Sequence, residues 1–414
     1  MARFSQRAAS GRGRNRGVAL LLAVTCIAVI TALGVDLAYN TRVSVQLAAN
    51  ARDELEAEAL ARSAVAMARL VLHFQQTIDA GMGAAGGALQ GVPGLSGAAF
   101  SVRLWDLVPV NSNALGFLGG VGGGQEISDA FPSFGAFAGS FEAKVEDEDR
   151  KINVRQLDGN AIFAIAQATR LIEMMRDPKW DFLFDRDDAN GLRVSRVELL
   201  AALKDWVDID ETLSAFTGSA TTPFANGYSD ENALYDRLTP RYKAKNSAFD
   251  SKDELFMVAG VSDALMAAFG DQLTVYPDVS ATINVNTDDP RELLLDAVAM
   301  GGGTIQPVFL DPSFLERLQA ALKLARPLPF LALQPTQFAQ VLQGLGVQLA
   351  PGVLASTNVG VSNPFGGSST TFRIRATGTV GAVKRAVEAV VVFDNRRALG
   401  LQADQGRLIH WHEE

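Results

Sequence analysis

Residues Val18–Val35, VALLLAVTCIAVITALGV, run for eighteen positions without a charge, and nothing after them ends the helical pattern they begin. At 1.5 Å per residue the run makes about 27 Å of helix, enough to cross a hydrocarbon core. Neither Gly nor Pro occurs from Asp36 to Thr77. Small or apolar residues recur there at Leu47, Ala51, Leu55, Ala59, Ser63, Ala66, Leu70 and Phe74, three or four apart. Arg52/Glu56 and Glu58/Arg62 form pairs four apart on an exposed face. The spacing predicts one helix over 18–77, about 60 residues and roughly 90 Å long. Its first third, 18–38, belongs in lipid and its last third against a folded head. A secretory signal peptide shares the apolar run, but would end in a small-x-small cleavage site followed by an unrelated mature domain.

Residues 1–17 carry Arg3, Arg7, Arg12, Arg14 and Arg16 and no acid. Cations on the short side of a span predict that this side stays in the cytoplasm and that the bulk of the protein is exported. The chain as a whole is acidic, with net charge −9 and a pI of about 5.1, which argues against nucleic-acid binding. A single cysteine, Cys26, excludes an internal disulfide framework and a Cys-based zinc site. His73, His410 and His412 are too few and too scattered for triad or His-metal chemistry, and no G-x-S-x-G, Walker A or H-E-x-x-H motif occurs. No catalytic residue is therefore assigned. The last two histidines read as part of a tail, 401–414.

Glycines crowd Gly81–Gly97 and Gly116–Gly124, which read as loops. Phe100–Val108, Ser140–Val145, Thr371–Gly378 and Val380–Asp394 have strand character, with Gly378 and Gly381 near a turn. Between the halves of this sheet the pattern is helical: Gly159–Arg176, Val194–Val207, Asp230–Leu238, Lys252–Val258, Ser262–Phe269, Pro290–Met300 and Pro312–Leu324. The expectation is an α+β body, 78–150 and 351–400, interrupted by a large all-helical insertion, 151–350. The echo of Ile152-Asn153-Val154 in Ile283-Asn284-Val285 divides that insertion near 283.

Asp205, Asp208 and Asp210 put three carboxylates into six residues, with Glu211 beside them. Like charges this close call for a cation or bound protons, and oxygen-only ligands suit Ca²⁺. Asp230 and Glu231 could close the site across the Gly218–Gly227 loop. A solvated acidic surface or a set of helix caps is the plainer reading. Asp185, Asp187, Asp188, Asn190 and Gly191 look like part of an EF-hand loop but fail its template. Glu146–Asp149 reads as a charged strand end, and Trp180, Trp206 and Tyr235 as core. Asp288, Asp289 and Asp296 around Ile283–Thr287 speak against a DNA-binding hairpin.

The basic leader ending in Gly17, the apolar segment and the continuous helix resemble the amino terminus of type IV pilins and pseudopilins. The resemblance implies cleavage between Gly17 and Val18 by a prepilin peptidase and methylation of the new terminus. Leu22 stands fifth after the cut, where most of the family has a glutamate that meets the amine of a neighbouring subunit. Its absence suits a filament tip and is a habit of the K-type minor pseudopilins of type II secretion systems. Further segments are similar to that subgroup: Glu146-Asp147-Glu148-Asp149-Arg150-Lys151-Ile152-Asn153-Val154, Asp205-Trp206-Val207-Asp208-Ile209-Asp210, Glu231 to Tyr242, Glu254-Leu255 to Val261, and Ile283–Thr287. The resemblance implies a pilin-like antiparallel sheet and a calcium-binding helical domain. It also implies a structural role at the tip of the periplasmic pseudopilus, with I- and J-type minor pseudopilins as partners and contact with secretin or secreted substrate. Packing along the filament would use Leu22, Leu47, Leu55 and Leu70. Two readings remain open at this level: a minor pilin of a type IV system, and a membrane-anchored periplasmic binding module or hydrolase using Asp205–Glu211.

Overall fold

A computed structural model of the chain describes residues 14–86, 101–112, 139–187, 191–238, 240–326, 331–351, 353, 363–393 and 406–414. Most of the leader and the glycine-rich stretches 87–97 and 116–124 lie outside these. One helix, Arg14–Gly86, runs for 73 residues and so extends beyond both ends of 18–77. Gly17–Thr77 contains a stretch long and apolar enough to cross a membrane, none of it buried. Gly17 and Val18 both lie within the helix, which does not break there.

The second half of the helix lies on a five-stranded antiparallel sheet. Its order is Arg407–Glu413, Val383–Val392, Thr371–Val380, Gly139–Asp147, Val110–Asn111. Ala57, Ala61, Ala64 and Ala68 are wholly buried at helical spacing, and their small side chains let the helix approach closely. Leu60, Val65 and Leu72 fill the flanks against Phe141, Phe372, Ile374, Ala389 and Val391 of the sheet. At the closest approach sits Gly378, where a Cβ would collide with the Ala57 carbonyl oxygen and lie 2.8 Å from Ala61 N.

The stripe read from the sequence lies on the other side of the helix. Leu22, Leu47, Leu55 and Leu70 are 59, 63, 67 and 52% exposed in the single chain. The helix therefore has two apolar faces, an alanine-lined one spent on its own sheet and a leucine-bearing one with no cover among the described residues.

Several expectations need correction. Phe100–Val108 is not one strand: Ser101–Val102 pairs with Leu331–Ala332, and Leu104–Leu107 forms a helical turn that sets Trp105 edge-on against Phe372. The segment 401–414 is not a free tail, because Arg407–Glu413 zips onto Val383–Val392 as an edge strand. Arg62 secures it from the helix through Glu413 at 3.0 Å. His410 packs on Tyr276, with ring centroids 5.3 Å apart. Asp230–Leu238 and Lys252–Val258 form only 3-10 turns, Glu231–Ala233, Tyr235–Arg237 and Lys252–Met257, since the chain turns extended at Leu238 and Val258. Nor is the insertion all helical: Thr212–Phe216 and Phe224–Asp230 pair as a hairpin where 218–227 reads as a loop.

The insertion has two cores. The first gathers Leu157, Leu171, Leu199, Leu203, Trp206, Tyr235, Leu255 and Phe269 from helices Ala161–Met175, Arg196–Asp205 and Asp263–Phe269 and the turns between them. The second gathers Ile283, Leu293, Phe314, Leu318, Phe338 and Leu342 from helices Pro290–Met300, Phe314–Ala325 and Pro335–Gly344, the last of which the sequence reading lacks. Phe365 joins this second core, so the insertion extends past 350. Both echo tripeptides open a core through a parallel pairing, Ile152–Asn153 with Leu273–Thr274 and Ile283–Asn284 with Phe365–Gly366. Arg170 and Asp296, each 1% exposed, bridge the two cores with Nε 3.1 Å from Oδ1.

The acidic strand end at 146–149 turns inward and ties the insertion to the sheet. Glu148 accepts hydrogen bonds from Arg373 and Lys151, both at 2.6 Å. Burial alone would raise its pKa, but the charges of Lys151 and Arg373 prevail and bring it down to about 2. Asp147 Oδ2 accepts from Asn284 Nδ2 at 2.9 Å and Ser369 Oγ at 2.6 Å. Asp149 Oδ2 accepts from the backbone N–H groups of Thr370 and Thr371.

Candidate metal centre

Helix Arg196–Asp205 starts on a capping box in which Ser195 and Glu198 satisfy each other's backbone N–H. It ends where Trp206 anchors in a nest of Tyr235, Tyr242 and Phe249, with centroids 5.6, 6.3 and 6.4 Å away. That anchor fixes the turn after it. Asp205 is held by the Ser214 N–H, 3.1 Å from both of its oxygens. Glu231 is delivered from the far end of the hairpin, its N–H bonded to the Glu211 carbonyl at 3.4 Å.

The carboxylates of Asp205, Asp208 and Glu231 thereby converge, with one oxygen of each within 4.8 Å of the others and all three residues buried. Both oxygens of Glu231 and Oδ1 of Asp208 are buried without a hydrogen-bond partner. Nearby, Asn246 takes up a left-handed backbone at φ 49° and donates to the Asp210 carbonyl, leaving its own Oδ1 buried and unpartnered. Orphaned acceptors of this kind are costly unless something positive meets them.

Protonation is one remedy in the metal-free chain. Burial and then the charges of Asp208, Asp205 and Asp210 push Glu231 up to about 7. Burial likewise lifts Asp205 to about 6 against its bonds to Ser214, and raises Asp208 against the pull of Lys204. A carboxyl whose folded pKa lies above its unfolded one adds stability that is complete below the unfolded value and lost as pH rises through the folded one. In calcium-free buffer the melting temperature is therefore expected to climb as pH falls from about 8 to about 5.5. Part of that slope should vanish in Glu231→Gln, as thermal melts at stepped pH will reveal. Asp296, which burial raises to about 7, supplies a share that this variant leaves intact.

A divalent cation is the other remedy. The donors are carboxylate oxygens with no His or Cys among them, the set suited to Ca²⁺. The buried, unpartnered oxygens of Asp208 and Glu231 are what such an ion would satisfy, so the residues present fit it.

The other three candidate ligands do not join. Asp210 Oδ1 accepts from Thr212 N at 2.8 Å and its side chain turns to solvent. Glu211 is exposed and contributes only its backbone carbonyl, and Asp230 caps the next turn by accepting from Asn232 N at 2.8 Å. Carboxylates adjacent in sequence alternate in direction here, so only every second or third one faces the centre. At the EF-hand-like segment, Asp185 pairs with Arg193 at 3.1 Å, while Asp188 and Asn190 lie outside the described residues. Two charged neighbours of the centre escaped the sequence reading, Lys204 and Asp158. The four-residue spacing of Lys204 and Asp208 was the signal available for the first.

No protein-family model matches the chain. Among curated proteins it is 33% identical over 99 residues to type II secretion system protein K of Aeromonas hydrophila, a match covering 24% of this chain and 27% of that protein. This chain resembles type II secretion system protein K. A second K protein, from Klebsiella pneumoniae, is 33% identical over 103 residues, 25% of this chain and 28% of its own length. The matched segments thus span under a third of either K protein. Among solved structures, the GspK–GspI–GspJ complex from the enterotoxigenic Escherichia coli type 2 secretion system aligns with a TM-score of 0.41 at 15% identity, covering 67% of this chain and 80% of that one.

Proposed function

We propose that this chain is a structural minor pseudopilin of a type II secretion system that sits at the tip of the periplasmic pseudopilus, helps to initiate it and supports protein export. The observation that carries the reading is the two-faced helix: one face closed by the chain's own sheet, the other bearing Leu47, Leu55 and Leu70 with no cover among the described residues. Exposing a leucine stripe is unfavourable unless another surface buries it, and in a fibre of helices that surface is a neighbouring subunit. The resemblance to K proteins supplies the class of neighbour, I- and J-type minor pseudopilins.

Residues 18–38 would lie in the inner membrane with the arginine-rich end cytoplasmic. A prepilin peptidase would cut between Gly17 and Val18, and Leu22 would face lipid or a neighbour without needing a charged partner. In the periplasm Asp205, Asp208 and Glu231 would hold a calcium ion, whose charge would fix the hairpin Thr212–Phe216/Phe224–Asp230 to helix Arg196–Asp205. The ion would serve structure, and no substrate chemistry is assigned to it.

Co-purification from detergent with the I- and J-type subunits of the same cells tests the assembly. A complex that forms with the wild type and is lost in Leu55→Arg/Leu70→Arg supports it. Complex formation only with pilins of a type IV system would move the chain to that machinery. Turnover of a substrate abolished by Asp208→Asn would favour an anchored hydrolase.

A further inference from the structure

Lys204 stands at the edge of the acidic centre, on the last turn of helix Arg196–Asp205, where the helix dipole favours a cation. Its ammonium hydrogen-bonds Asp208 Oδ2 and lies 3.6 Å from Asp158 Oδ1, and its side chain is only 11% exposed. The ring of Phe224 covers it, with the centroid 6.0 Å from Nζ. The bond occupies one oxygen of Asp208. The other, Oδ1, is among the unpartnered acceptors grouped with Glu231. One carboxylate is thus arranged to meet an ammonium on one side and a second cation on the other.

We propose that Lys204 is a resident counter-ion: it lets the three carboxylates pack together without metal and, by repelling a second cation, sets how much calcium is needed to load the centre. This rests on the calcium reading above. With Asp158 counted, four ionised carboxylates against one ammonium leave three negative charges, of which one divalent ion takes up two and one monovalent ion only one. Cations on opposite oxygens of one carboxylate stand about 5 Å apart, and at an effective dielectric of about 20 to 40 their repulsion costs well over tenfold in affinity. Asp158, 3.6 Å from the ammonium, softens that repulsion.

Calorimetric titration of calcium chloride into the chelator-stripped full chain in detergent provides the test, for wild type, Lys204→Met, Lys204→Arg and Asp158→Asn. Lys204→Met is expected to bind calcium about tenfold or more tightly than wild type while melting lower without metal. Lys204→Arg, which keeps the charge, should stay within about threefold of wild type, and Asp158→Asn should bind more weakly. Unchanged affinity in Lys204→Met overturns the inference. Weaker binding there overturns it too, and makes the lysine a positioning group for Asp208. If Lys204→Met does not fold without metal, Asp158→Asn decides: affinity equal to wild type is then the contrary result. A wild type that binds calcium while these variants match it defeats only the role of Lys204. A wild type that binds none defeats the calcium centre as well.

Discussion

Gly378→Val is expected to lift the amino-terminal helix from the sheet and to destabilise the body by about 3 kcal/mol or more. The three atoms a Cβ would meet, Ala57 O, Ala61 N and Ala57 C, are all backbone, so no side chain can rotate away. The helix must shift as a unit or the central strand must buckle, and either opens the alanine seam of Ala57, Ala61, Ala64 and Ala68 to water. Chemical denaturation of wild type and variant measures the loss. A difference below about 1 kcal/mol would mean that the helix does not rest on this strand.

Calcium is expected to have a comparable effect in the opposite direction. An ion bound only by the folded state contributes about 4 kcal/mol when present at about a thousand times its dissociation constant. The melting temperature should therefore rise on adding calcium and fall with chelator. Glu231→Gln should lose most of that response while remaining folded, because it removes a ligand and, with it, a poorly accommodated buried charge. Affinity should weaken as pH drops from about 7.5 to 5.5, since Glu231, raised to about 7, and Asp205, raised to about 6, must give up protons to bind the ion. Identical melts in calcium and chelator would remove the ion from the account.

What the sequence disclosed follows how local each signal is. The long helix was plain because its determinants, an uncharged run and the absence of Gly and Pro, need no partner. Its leucine stripe was equally plain. The alanine stripe that makes the actual contact with the sheet was missed, since alanine carries little weight in a hydrophobic pattern and its value lies in closeness to Gly378, more than 300 residues away in sequence. The strand Arg407–Glu413 looked like a tail because it falls at the end of the chain with His410 and His412 in its last five residues, and only the register with Val383–Val392 makes it a strand. At the acidic centre Asp205 and Asp208 were legible as a crowd of like charges. Which neighbours joined them was not, for that depends on the hairpin that returns Glu231 and turns Asp230 into a cap.

The account stands on the amino-terminal helix remaining part of the working protein as an assembly rod. Mass spectrometry of the amino terminus in protein isolated from its own cells addresses this directly. A mature chain beginning at Val18 is the predicted result; a chain beginning after Val35 would mean that the apolar segment is discarded on export, and would contradict a place in a pseudopilus.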